Sequence, residues 1–168
     1  RRPSAMSCTV VASDVREVGA TPGVDVERGA QLAEAAASHE GGIGELTLTF
    51  VEPAEIATLN AEHLGKQGPT DVLSFPMDDD VSPSPDVPTL LGDVVVCPAI
   101  AAAQFAEHAG DYDDEMALLV VHGILHVLGF DHEDPAEAAR MRSIELELLK
   151  AHHWRGEAPR RFRQTHDE

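Results

Sequence analysis

His122-Gly-Ile-Leu-His126-Val-Leu-Gly129-Phe-Asp-His132 decides how this chain reads. Residues i and i+4 of a helix share a face one turn apart, so His122 and His126 aim their imidazoles at one point. Gly129 supplies the left-handed residue that ends such a helix, and the chain beyond it brings His132 back as a third ligand. Three neutral imidazoles with one position left open are the donor set of a catalytic zinc ion rather than a structural one. A lone histidine on such a helix would be a packed or solvated side chain. Three at this spacing, among Ile, Leu, Val and Phe, need a partner to offset their burial. The spacing argues for a metal and does not name a reaction.

Outward from the motif, the pattern predicts an α+β fold: a small mixed four-stranded sheet packed with about five helices around a central metal-binding helix. Strands are expected at 8–12, 45–51, 72–75 and 92–97. Leu46, Leu48 and Phe50 alternate with polar neighbours, as in a half-buried strand. Helices are expected at 24–38, 53–64, 98–109, 113–128 and 135–153, with Pro53 and Pro98 opening two of them. The Pro-, Ser- and Asp-rich stretch 78–89 reads as a mobile loop. One domain is expected over 6–153, with Met6 as a candidate start. A basic tail, 154–168, reads as loosely attached, with Trp154 placed to pin the end of the last helix.

The 168 residues suffice for one domain with a real core. Cys8 and Cys97 lie far apart in apolar runs and read as small buried hydrophobes, which fits a reducing cytoplasm. No stretch is long and apolar enough to suggest a membrane span. With 12 basic and 30 acidic residues the formal charge is −18, which opposes nonspecific binding to nucleic acid. The runs at 78–80 and 111–115 read as solvated faces or loops.

The motif looks like the zinc-protease helix in which two histidines flank three residues, the first a glutamate. Here that position is Gly123, so the general base of such a peptidase is missing. Glycine there also suggests open space beside the metal. Asp131 adjoins His132 and either orients a ligand histidine or faces solvent.

Taken together, the segments resemble the YbeY family of rRNA maturation factors. His122 to His132 resembles the family signature. Gly68-Pro-Thr-Asp-Val-Leu-Ser-Phe-Pro76 and Leu91-Gly-Asp-Val-Val-Val-Cys-Pro98 resemble two further characteristic segments, and 141–149, with Glu145, the final helix. The resemblance implies a zincin-like single domain with one zinc on His122, His126 and His132. It implies a single-strand endoribonuclease that matures the 3′ end of small-subunit ribosomal RNA and serves ribosome quality control. It implies ribosomal RNA, the small ribosomal subunit and an assembly GTPase as partners.

One departure stands out. Family members often carry an arginine after the Asn-x-x-(aromatic or His) segment, and here Leu64 follows Asn60-Ala-Glu-His63. Leucine cannot grip a phosphate as a guanidinium fork does. Either Lys66 carries that contact alone, or another basic group replaces it, or this member is weaker on naked RNA; Lys66 and Asp131 are the candidate catalytic residues. Thr70 and Asp71 either brace a turn or line the cleft. Ser74 and Asp93 are open between cleft and structural positions, and His63 between cleft and surface. His39, His108, His152, His153 and His166 are expected on the surface. Two other functions compete: a ribosome-assembly binding factor with a mainly structural zinc, and another metal-dependent hydrolase.

Overall fold

Apolar alternation sets the second strand, where Leu46, Leu48 and Phe50 are all buried on one face. It is one of the two inner strands of a four-stranded sheet. The computed structural model describes residues 7–77 and 86–164. In chain order the elements are β1 (Cys8–Asp14), α1 (Val26–His39), β2 (Gly44–Phe50), α2 (Pro53–Leu64), β3 (Val72–Pro76), β4 (Leu90–Val96), α3 (Pro98–Gln104), α4 (Tyr112–Val127) and α5 (Pro135–His152). A single 3-10 turn, Phe105–Glu107, lies between α3 and α4. β1 and β4 run parallel to β2, and β3 runs antiparallel to β4 at the edge, so the sheet is mixed as expected.

The expected helix boundaries hold where local chemistry marks them. Pro53 starts α2, and Gly65, in the left-handed region at φ 66°, ends it. α1 starts two residues later than expected because the Asp25 side chain accepts the N–H of Arg28 and caps it. The helix expected through residue 109 stops at Gln104. Buried Glu115 takes the N–H of Ala109 at 3.1 Å, and Gly110, at φ 91°, turns the chain.

Successive residues of β4 face opposite sides of the sheet. Val94 and Val96 join the main core with α1, α4 and α5, while Val95 joins a smaller cluster with Val51, Ile56, Leu73 and Cys97. α4 packs against β3, β4, α1, α3 and α5. Leu118, Leu119, Val121, Ile124 and Leu125 on it have no exposed surface. Each such side chain stabilises the fold by about 1.5–3 kcal/mol. The metal-site helix is therefore gripped on all sides. None of the described helices is long and apolar enough to cross a membrane.

Two expectations fail here. The tail is docked rather than loose as far as it is described, through residue 164: Trp154 and Phe162 pack on the core, with ring centroids 4.7 Å apart, and Gln164 reaches α5. The run 111–115 is only partly solvated: Asp113 is exposed as expected, but Asp114 and Glu115 are not. Asp111 caps α4, while Asp114 and Glu115 are buried, because His153, Trp154, Arg161, Gln104 and His108 supply them with donors. Residues 78–85 of the expected loop, with the acidic run at 78–80, lie outside the described residues.

Candidate metal centre

α4 carries His122 and His126 one turn apart, and its C-terminal turn places the third histidine. Phe130 N–H donates to the Leu125 carbonyl and Gly129 N–H to that of His126, with Gly129 at φ 106°. This reversal is the helix-ending motif that glycine permits. Asp131 Oδ1 then accepts the main-chain N–H of His132 at 2.7 Å, fixing the backbone that holds its ring.

The three imidazoles converge. Their potential ligand atoms all lie within 4.8 Å of one another. His122 Nε2 and His126 Nε2 are 3.1 Å apart. Two nitrogens bound to one tetrahedral zinc at 2.0–2.1 Å would stand roughly 3.3–3.4 Å apart, so the pair fits such an ion with little adjustment. Burial, then the neighbouring His122 and His132, push the His126 pKa down to about 4. His126 is thus neutral at physiological pH, the state that ligates.

Glu145 of α5, 3% exposed, fixes the first ligand. Its Oε2 lies 2.6 Å from His122 Nδ1. An ionised carboxylate only accepts, so His122 carries its proton on Nδ1 and presents an Nε2 lone pair to the centre. From the sequence alone Glu145 belongs to the final helix with no role of its own. Its signal was a charge in the buried stripe of α5, among Ala138, Met141, Ile144 and Leu148.

The centre opens into a cleft of about 410 Å³ lined by Leu64, Thr70, Asp71, Val72, Leu73, Ser74, Pro76, Gly129, Phe130, Asp131 and the three histidines. No Lys or Arg is among the described residues of this lining. Leu64, half exposed, faces the cleft. Lys66 is exposed and stands outside the lining. Arg140 lies over the ring of Phe130, 5.0 Å from its centroid.

The residues left open now have places. Asp71 lines the cleft and is also braced, accepting from Thr70 Oγ1 and from Gln104 Nε2 at 2.6 Å. Ser74 does both as well: it lines the cleft and donates to the Gly123 carbonyl at 2.9 Å. Asp93 accepts from Thr47 Oγ1 on the sheet face away from α4. His63 is exposed and packs on Phe75.

Two expectations are corrected. Gly123 leaves no open space for substrate: a Cβ there would stand 2.6 Å from Val94 Cγ1 and 3.2 Å from Val72 Cγ2. Glycine lets α4 lie close on the sheet, and a glutamate side chain has no room. Nor are His108 and His153 exposed surface groups. His153 is buried between Arg28, which donates to its Nδ1, and Asp114, which accepts from its Nε2. His108 contacts Glu115, and His39 contacts Glu40 and Glu147, whose carboxylates raise its pKa. His39 and His152 are exposed as expected, and His166 lies outside the described residues.

Comparison with known proteins places the chain in a family. The family model described as "Endoribonuclease YbeY" matches residues 24–153. The chain is 40% identical over 151 residues to an endoribonuclease YbeY of Salinispora tropica, an alignment covering 83% of this chain and 95% of that one. It is 43% identical over 150 residues to one of Thermobifida fusca, covering 84% and 93%. It is 46% identical over 121 residues to one of Frankia casuarinae, covering 68% of this chain and 59% of that protein. The solution structure of TM1509 from Thermotoga maritima superposes with a TM-score of 0.55 at 26% identity, covering 87% of this chain and 91% of that one. With the match running from the approach to α1 through the end of α5, the chain belongs to the endoribonuclease YbeY family.

Proposed function

We propose that this protein is a zinc-dependent, single-strand endoribonuclease that acts on the 3′ end of small-subunit ribosomal RNA during maturation and ribosome quality control. The observation that carries the reading is the convergence of His122, His126 and His132 on an open cleft, with His122 held by buried Glu145. A zinc bound there would supply a Lewis acid at the scissile phosphate. The open side of the cleft favours an enzyme over a binding factor with a closed structural site. The filled space at Gly123 disfavours a peptidase with the usual glutamate base.

The chain's own groups take the remaining roles. Of the two cleft carboxylates, Asp71 has both oxygens engaged, while Asp131 engages only Oδ1 among the described residues. We assign Asp131 as the proton acceptor. Lys66, beside the cleft in sequence, is the proposed phosphate contact, with Arg140 a second cation behind Phe130. Because the chain carries −18 and its cleft lining lacks described cations, much of the RNA grip comes from the small ribosomal subunit, with an assembly GTPase as a further partner. Two free buried cysteines fit a cytoplasmic setting.

The test is cleavage of a 3′-extended small-subunit RNA, free and within assembled subunits, with the new ends identified. Cyclic phosphate ends would mean that the proton leaves a ribose hydroxyl, and 5′ phosphate ends that it leaves water. Faster cutting in the subunit supports the reading. No cutting of either substrate by zinc-loaded protein overturns it.

A further inference from the structure

We propose that Gln164, in the segment beyond α5, is a positioning residue of the metal centre: its amide pins the carboxylate that orients His122. The inference rests on the reading of the three histidines as a metal site. Glu145 is almost wholly removed from water, and a carboxylate so placed needs donors on both oxygens. His122 Nδ1 serves Oε2, and Gln164 Nε2 serves Oε1 at 2.9 Å. The same nitrogen donates to the Arg142 carbonyl at 2.9 Å. Both hydrogens of the amide are then used, and both partners are acceptors, so the amide can point only one way. Arg142 and Glu145 are three residues apart on one face of α5, and Gln164 lies across that face.

The segment is anchored before it arrives. Trp154 Nε1 donates to buried Asp114 at 2.9 Å, and Phe162 packs edge-on against the Trp154 ring. Arg161 reaches Asp111 and Asp114, each at 3.3 Å. Its carbonyl passes so close to Gly110 that a Cβ there would meet it at 2.8 Å. The matched family region ends at residue 153, so this support comes from outside it. A ligand histidine owes its tautomer and orientation to its outer partner. Freeing Oε1 lets the carboxylate turn away from His122 and weakens the ion's hold.

Full-length Gln164→Leu is titrated with zinc against a chromophoric chelator, beside wild type, the exposed-site control Arg163→Ala and His126→Ala. Zinc affinity should fall about tenfold in Gln164→Leu and stay unchanged in Arg163→Ala. The thermal midpoint of metal-free Gln164→Leu should fall, because buried Oε1 loses its donor, so the zinc affinity is read on protein held well below that midpoint. In a Glu145→Gln background, Gln164→Leu should have little further effect, because the carboxylate it acts through is gone. Wild-type affinity in Gln164→Leu overturns the proposal, whether or not metal-free stability drops. So does a tenfold loss that persists undiminished in the Glu145→Gln background. Equal zinc binding by His126→Ala and wild type overturns the metal site and the proposal together. Loss of zinc in His126→Ala alone, with Gln164→Leu unaffected, overturns only the proposal.

Discussion

Glu145 Oε2 stands 2.6 Å from His122 Nδ1, joining α5 to the metal-site helix through two buried side chains. The contact sets the imidazole tautomer and leaves the ring's other nitrogen for the ion. It also makes α5 part of the site although it contributes no ligand.

Glu145→Ala should weaken zinc binding by roughly 10–100-fold while all three histidines remain. It should also cost about 1–3 kcal/mol of stability, because the imidazole and the Gln164 amide lose a buried acceptor. Chelator competition and urea denaturation measure the two effects. Unchanged affinity would remove Glu145 from the site.

Gly123→Ala sets helix propensity against packing. Alanine gains at most about 1 kcal/mol in a helix interior. The new methyl meets Val94, fully buried, at 2.6 Å, and overpacking of this kind costs about 1–3 kcal/mol. The clash wins, so the urea midpoint should fall. A rise would mean that α4 does not lie this close to the sheet.

The low pKa of His126 makes metal-free stability depend on pH. Unfolded, His126 takes a proton near its ordinary value of about 6.5; folded, it resists until about pH 4. Between these values the unfolded chain binds more protons, so this contribution is full above about 6.5 and is lost as pH falls to about 4. Thermal midpoints of metal-free wild type and His126→Gln at pH 7 and 4.5 check this. Wild type should lose more on acidification; identical losses would contradict it.

Leu64→Arg should strengthen binding and cutting of free RNA, because residue 64 already lines the cleft and arginine adds a bidentate phosphate donor. Lys66→Ala should lower cleavage without lowering zinc content. Each is measured as kcat/KM on a single-stranded RNA. For wild type the slope of log K against log salt should be near ~1–2 in magnitude, since few phosphates are neutralised. Unaltered rates in both variants would remove the proposed phosphate contacts.

Much of this was legible in the sequence, because its signals are local. Helical spacing placed His122 and His126 together, Gly129 ended the helix, and Pro53 and Gly65 bounded α2. What escaped depends on residues distant in the chain. Asp114 and Glu115 look like surface acids until His153, Arg161 and Gln104 arrive from other segments. Gly123 resembles a vacancy until Val94 and Val72 are brought beneath it. The tail's charges suggested solvent, but Trp154 and Phe162 fasten it to the core. Glu145 did leave a trace, at the apolar spacing of α5 between Met141 and Leu148.

The most direct test is to strip the protein with a chelator, restore zinc stepwise, and follow cleavage of a 3′-extended small-subunit RNA within assembled subunits. Activity should vanish on stripping and return in proportion to zinc, saturating near one equivalent per chain, while His126→Ala should not recover. Full activity in the stripped protein, or recovery of His126→Ala at the same zinc ratio, would contradict a catalytic metal held by His122, His126 and His132.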